Sequence, residues 1–534
     1  MRPISLILAG CALAGGHGPW SAPADAQQPP EAMAAARPAS VPSVAQILSS
    51  VRRAVGYRRL AAMPIGFTIV ERGTEDGAGE ETLHFGTRRG EVRNGGEFGY
   101  DGVFAWQHDS RRGMAVPSPQ RQREKNMWPL WVRGHWWLNP ASGMNISVVP
   151  GETDAHSVAL SLTLPDGLVP ATLHIDRATW LPVRLVVPYE RGPFTVLYSD
   201  YRAIRGLMLP GTVETSYRGE SRRRLVSAGR MSSRASFSAP ALPADHRFDA
   251  ARPAALEIAA GIPFGPGSPG HNYVRATADD RRTGWWHFDS GSDSMIIDTA
   301  VADALGMEII GTHRSMGADG IPREGTWRRG KSLTVGRIRI ENPVYRALDL
   351  SANNAPPGER RTGTIGYDLF ARSVVEFGDG GRSVRICDPR TYRLPRGERW
   401  QRLEHIDATP AFRGLVEGRI AGLFQVDTGS VGTIDFARPF HERHRLLEGR
   451  ETDTLRSLGS GGGFAVERGH LGRFDFAGRR YDNLEVTFRT GGVSREGSAG
   501  TIGRTLLEPF TAIFDYANHR IAFVPVANGV GACG

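Results

Sequence analysis

Apolar residues at Val44, Ile47, Leu48, Val51 and Val55 keep the spacing of one helix face, with Ser43 placed to cap the first turn and Gly56 to end the last. After Gly66 the period changes. Short β-branched and aromatic runs alternate with turn residues over 67–70, 82–85, 103–106, 172–175, 183–187, 194–198 and 212–215, which predicts an antiparallel sheet or open barrel behind a single amphipathic helix. Pro240, Pro243 and Pro253 among alanines mark 236–261 as a linker. Strand-like patterning then resumes in two rounds, parted by a connection rich in Pro and Arg at 389–402. Trp128, Trp131, Trp136 and Trp137 crowd one short stretch; aromatics in a core or at a sheet edge are the commoner reason, a cleft for an apolar ligand the other.

The two rounds share a phrase. Phe288-Asp289-Ser290-Gly291-Ser292 returns 138 residues later as Val426-Asp427-Thr428-Gly429-Ser430. An apolar residue and then Asp-Ser/Thr-Gly-Ser describes a strand stopping in a tight loop, where Gly lets amides and a small hydroxyl close around one carboxylate. Either copy alone reads as an ordinary turn. The neighbours argue otherwise, because they recur in order: Ile297-Asp298 as Ile434-Asp435, Arg314-Ser315-Met316-Gly317-Ala318-Asp319-Gly320 as Arg456-Ser457-Leu458-Gly459-Ser460-Gly461-Gly462, and Gly363-Thr364-Ile365-Gly366 as Gly500-Thr501-Ile502-Gly503. Leu369 and Phe377 are answered by Leu506 and Phe514, each Phe within a strand-turn-strand pattern.

These motifs resemble those of the pepsin/retropepsin-like aspartic proteases over roughly 262–526. The resemblance implies a mainly β, bilobal fold with Asp289 and Asp427 as a catalytic dyad. It implies Ser290, Gly291, Ser292, Thr428, Gly429 and Ser430 as the loops that support the dyad, and flap hairpins at Gly317, Gly320, Gly459, Gly461 and Gly462. The implied chemistry is endopeptidase cleavage of an extended peptide by water activated between two carboxyls that share a proton, with no metal, cofactor or acyl intermediate. The flap segments begin 25 and 29 residues after their aspartates, close to retropepsin spacing, whereas two lobes in one chain resemble pepsin and imply a monomer. Ser290 stands where threonine is usual and keeps the hydroxyl. Neither flap carries the tyrosine familiar from pepsin; Trp327 follows the first and Phe464 the second. Ser292 and Ser430 are expected to donate hydrogen bonds to the ionised dyad. The leading helix, the antiparallel strands and the Asp176-Arg177-Ala178-Thr179 turn resemble LolA/LolB-like lipoprotein-carrier domains, which implies the alternative function of a non-catalytic envelope protein holding an apolar ligand.

Length and charge narrow the picture. A chain of 534 residues is long enough for two or three domains. Of its 65 basic residues only Lys125 and Lys331 are lysines, and the arginines are scattered without a basic stripe, so the net charge of +9 reads as a solvated surface and nucleic-acid binding is not expected. Arg2, an apolar run over 4–15 and Ala24-Asp25-Ala26 read as an export signal to the periplasm or beyond, while Leu8-Ala9-Gly10-Cys11 offers a lipid-anchored alternative. No later run approaches the roughly 20 residues that cross a bilayer. Cys387 and Cys533 remain; a buried free Cys387 and a loose Cys533 are expected, although a bridge is within reach.

The expected organisation is a signal over 1–26, a tether over 27–42, a β domain over 43–235, a linker to 261, lobes over 262–388 and 403–526 joined by 389–402, and a Gly-rich tail over 527–534. Two other motifs fail on context. The glycines at 265–270 spell G-x-G-x-x-G, but two prolines and a following strand make that a turn. His441-Glu442-Arg443-His444 is one residue short of H-E-x-x-H, which loses the zinc geometry and leaves a solvated helix face.

Overall fold

Ser43 opens the helix Val44–Ala54 with a capping box, its hydroxyl accepting the Gln46 amide while the Gln46 side chain reaches back, and Ile47 and Val51 are buried. This computed structural model describes residues 41–534 other than 63–65, 76–78, 165–168, 190–191, 232–235, 264–269, 352–353, 460–461, 496 and 534. The export signal, Cys11, most of the tether, most of the 265–270 turn and Gly461 therefore lie outside the described residues. The fold is mainly β.

Behind the helix, a thirteen-stranded antiparallel sheet runs from the edge strand Met114–Pro117 to the opposite edge Asn145–Val148. It curls around a core of Ile47, Val51, Phe67, Phe85, Leu160 and Leu185. The expected strand at 103–106 begins at Ala105 instead, because Asp101 Oδ1 accepts the Val103 and Phe104 amides and holds them in a turn. A helix over Gln120–Arg133 escapes the sequence pattern because Pro129 interrupts it. It carries Trp128 and Trp131, and the turn Trp136–Leu138 carries the other two tryptophans. All four are core residues of this sheet rather than the walls of an open cleft. Asp176 Oδ1 takes the Thr179 amide and hydroxyl, which fixes the turn expected there.

The stretch expected as a linker is woven into the next sheet. His246–Phe248 pairs with Ile338–Glu341, and Ile258–Ala260 pairs with Asn272–Ala278, because alternating apolar residues between the prolines find open strand edges. This eleven-stranded sheet holds the first repeat; an eight-stranded sheet holds the second. Both place their motif strand in the same way. Arg281–Phe288 runs parallel to Arg361–Ile365 with Phe288 opposite Ile365, and Ile420–Val426 runs parallel to Gly500–Ile502 with Val426 opposite Ile502. A five-stranded sheet joins the repeats: Val374–Gly378 pairs with Phe510–Asp515, and Gln401–Arg402, at the end of the interlobe connection, pairs with Arg520–Pro525. Among the described residues no helix is long and apolar enough to cross a membrane.

The free thiols expected at Cys387 and Cys533 are replaced by a disulfide, with Cα atoms 5.1 Å apart. An isolated bridge between Arg393 and Ala532 leads the tail back to that point, and Arg385 and Glu376 both bond Gly531 beside it. Reduction should lower stability by about 2–4 kcal/mol, since the bond closes a long loop of the unfolded chain. Denaturation with and without reductant tests this, and two free thiols in the denatured, unreduced protein would rule the bond out.

Candidate active site

The two Asp loops grip each other across the joint between the repeats. The Ser290 amide donates to Thr428 Oγ1 at 2.9 Å and the Thr428 amide to Ser290 Oγ at 3.0 Å; in turn the Ser290 hydroxyl donates to the Val426 carbonyl at 2.8 Å and the Thr428 hydroxyl to the Phe288 carbonyl at 3.3 Å. Serine in the first loop thus does the work of threonine in the second. Within each loop the pattern repeats: Gly291 N donates to Asp289 Oδ1 and Gly429 N to Asp427 Oδ1, both at 2.8 Å. The strands behind fix the aspartate backbones, Asp289 N bonding Ile365 O and Asp427 N bonding Ile502 O.

This arrangement sets the carboxyls of Asp289 and Asp427 in a mutual hydrogen bond. The glycines permit it by their lack of a side chain, since a Cβ on Gly291 would stand 2.6 Å from the Asp427 carboxyl and one on Gly429 would stand 2.6 Å from that of Asp289. Burial, and then the charge and hydrogen bond of Asp427, hold Asp289 well above the ordinary carboxylate range, against the opposing pull of Arg361. One proton is therefore retained where isolated carboxyls would have lost it.

Beneath Asp289 lies a buried group that the sequence reading missed. His287 Nδ1 stands 3.7 Å from Asp289 Oδ2 and 3.2 Å from Arg361 Nη2. Burial, with His271 and two arginines nearby, holds His287 far below its usual pKa. Because a guanidinium can only donate, the neutral ring's Nδ1 accepts from Arg361 and has no proton to offer Asp289. Gln425 and Ser498 occupy the corresponding places in the second repeat, where the cation near the aspartate is Arg504 instead.

The hairpins expected as flaps form. Glu308–Met316 pairs with Pro322–Arg329, placing Gly317 and Gly320 in its tip, and Asp453–Gly459 pairs with Gly462–Phe476, ending with Gly459 opposite Gly462. Gly320 has φ +78°, which accounts for the glycine there. The first tip meets the second repeat. Val493 N donates to Ala318 O at 3.1 Å, and a Cβ on Gly462 would stand 3.0 Å from Asp319 Oδ2. Gly492 and Val493 were not singled out from sequence, because nothing in the repeat marks them. Trp327 and Phe464 lie off the tips and are buried, Trp327 edge-on to His313 and Phe464 under the Arg489 guanidinium.

Two expectations fail here. The Ser292 hydroxyl donates to the Ser294 carbonyl at 2.9 Å instead of to the dyad, because the loop turns back and places that acceptor nearer; Ser430 holds the matching position in the second loop. His441 is not on a solvated face: it is buried, bonds Arg489 O at 2.9 Å and packs edge-on to Phe488. Among the described residues no cluster of His, Cys, Asp and Glu is arranged to hold a metal.

Residues 274–369 match the family model described as aspartyl protease, a span that contains Asp289 and the strand beside it. An aspartic protease-like domain is present there. No curated protein matches the chain.

Proposed function

We propose that the protein is an aspartic-type endopeptidase, with Asp289 and Asp427 as its dyad and two pepsin/retropepsin-like lobes supplied by one chain. The observation that carries this reading is the reciprocal bonding of the two Asp loops, which keeps one proton between two facing carboxyls. The ionised aspartate takes a proton from a water held between the pair, and the protonated one donates to the scissile carbonyl, so acid and base exchange roles within one turnover. The substrate is a peptide extended beneath the hairpins of Gly317, Gly320, Gly459 and Gly462, adding backbone hydrogen bonds to their strands. The chain is exported, the apolar run at 4–15 being its signal. The alternative of an apolar ligand held by the N-terminal sheet gains nothing from its tryptophans, which fill the core.

Incubating the purified chain with a peptide library across pH, with and without pepstatin, tests the assignment. Pepstatin-sensitive cleavage in acid is expected; a folded protein that cleaves nothing at any pH would overturn it. Mixing the Asp289→Asn and Asp427→Asn proteins should restore no activity, because each chain pairs its own two loops. Recovery on mixing would instead point to loops exchanged between chains.

A further inference from the structure

Arg112 leaves the N-terminal sheet and ends beside the loop that carries Asp289. It sits on the turn between Ala105–Asp109 and the edge strand Met114–Pro117. Asp109 shapes that turn: Oδ1 accepts the Arg111 and Arg112 amides at 3.0 and 3.2 Å, and Oδ2 accepts Arg112 Nε at 2.8 Å. So aimed, the Arg112 side chain is only 8% exposed; its Nη1 donates to the Asp293 carbonyl at 3.0 Å and reaches Asp368 Oδ2 at 3.5 Å. Met114 and Val116, just beyond, are buried in the same apolar cluster as Met295, Ile297 and Phe370 of the first repeat. Arg111 faces the neighbouring hairpin, 5.8 Å from the Trp327 ring.

The second repeat shows what this arginine replaces. Tyr367 N donates to Ser292 O at 3.0 Å, as Arg504 N does to Ser430 O at 2.9 Å, so Asp293 corresponds to Val431 and Asp368 to Thr505. In the second repeat the loop is closed from within, Thr505 Oγ1 donating to the Val431 carbonyl at 2.7 Å. In the first, a carboxylate stands in place of that hydroxyl. Asp368 accepts the Met295 amide at 3.1 Å, and the side-chain donor to the Asp293 carbonyl is Arg112, which also answers the Asp368 charge.

We propose that the N-terminal sheet is an activating module of the protease half, in which Arg112 is a positioning residue: it supplies from outside the loop-closing hydrogen bond that the second repeat makes with Thr505. The proposal rests on the peptidase reading above. Asp289 keeps its working distance from Asp427 only while this hairpin is docked, so the half of the site that belongs to the first repeat is incomplete without the sheet.

The test uses the full-length chain and a peptide that the parent cleaves. Arg112→Ala should lower kcat about tenfold or more while leaving KM within about twofold, since the loss is of alignment and not of peptide contact. The acid limb of its pH profile should also move, because the spacing of the carboxyls sets how they share a proton. Adding Asp368→Thr to that variant rebuilds the second repeat's solution and should return kcat to within about threefold of the parent. Parental kcat and pH profile in a folded Arg112→Ala protein would overturn the proposal, as would a folded double variant that stays as slow as the single one. Should Arg112→Ala fail to fold, the double variant decides alone, parental kcat supporting the proposal and a persistent tenfold loss refuting it. Absence of cleavage by the parent itself would instead count against the peptidase reading.

Discussion

Asp289→Asn and Asp427→Asn should each reduce peptide hydrolysis by about 10²–10⁴-fold, the range lost when one half of an acid/base pair is removed. The fold should survive, because an amide oxygen still accepts the Gly291 or Gly429 amide that each carboxyl accepts now. Stability should move the other way from activity. The folded-state pKa of Asp289 is raised, by burial first and Asp427 second, so its contribution to stability is fully present below about pH 3.9, the unfolded value, and is lost as pH rises through the folded one. Asparagine does not titrate. Asp289→Asn should therefore match the parent in acid and exceed it at neutral pH, which thermal melts across that range will show. Undiminished hydrolysis by either variant would sink the dyad assignment, and a lower neutral-pH melting temperature for Asp289→Asn would contradict the raised pKa.

The site was legible in the sequence where the chemistry repeats, and obscure where it does not. Asp289, Ser290 and Gly291 found their partners in Asp427, Thr428 and Gly429 because two loops related by an internal repeat must carry the same residues to bond each other reciprocally. The hairpins were found through their glycines for the same reason. His287, Arg361 and Arg112 break the repeat, their equivalents being Gln425, Ser498 and nothing at all, so no comparison within the chain could raise them. The Cys387–Cys533 bond depends on where the tail turns, which Arg393 and Glu376 decide at long range. In the N-terminal part the alternating runs fall on strands except at 103–106, whose first half is a turn, and the helix around Pro129 escapes the pattern, since tertiary packing of Trp128 and Trp131 outweighs the proline's local preference.

Gly291→Ala and Gly429→Ala should inactivate the protein nearly as fully as the aspartate substitutions, although neither touches an ionisable group. Both glycines lie outside the left-handed region, so alanine meets no backbone penalty there and the whole effect falls on contact. At 2.6 Å the new methyl overlaps the opposite carboxyl, and the loops cannot yield without breaking the Ser290–Thr428 bonds that hold them. The carboxyls must separate. A displacement of about 1 Å at the reacting atoms costs about 10²-fold in rate, and overpacking of this kind about 1–3 kcal/mol in stability. Gly432→Ala supplies the control, being close in sequence to the second motif but with open space where its Cβ would stand, so it should behave as the parent. The share of Asp289's raised affinity for its proton that comes from Asp427 falls when the pair is driven apart, while the share from burial stays, and the pH profile of any residual activity should shift accordingly. Full activity in Gly291→Ala would mean that the two carboxyls do not work face to face, and the dyad mechanism would fall with it.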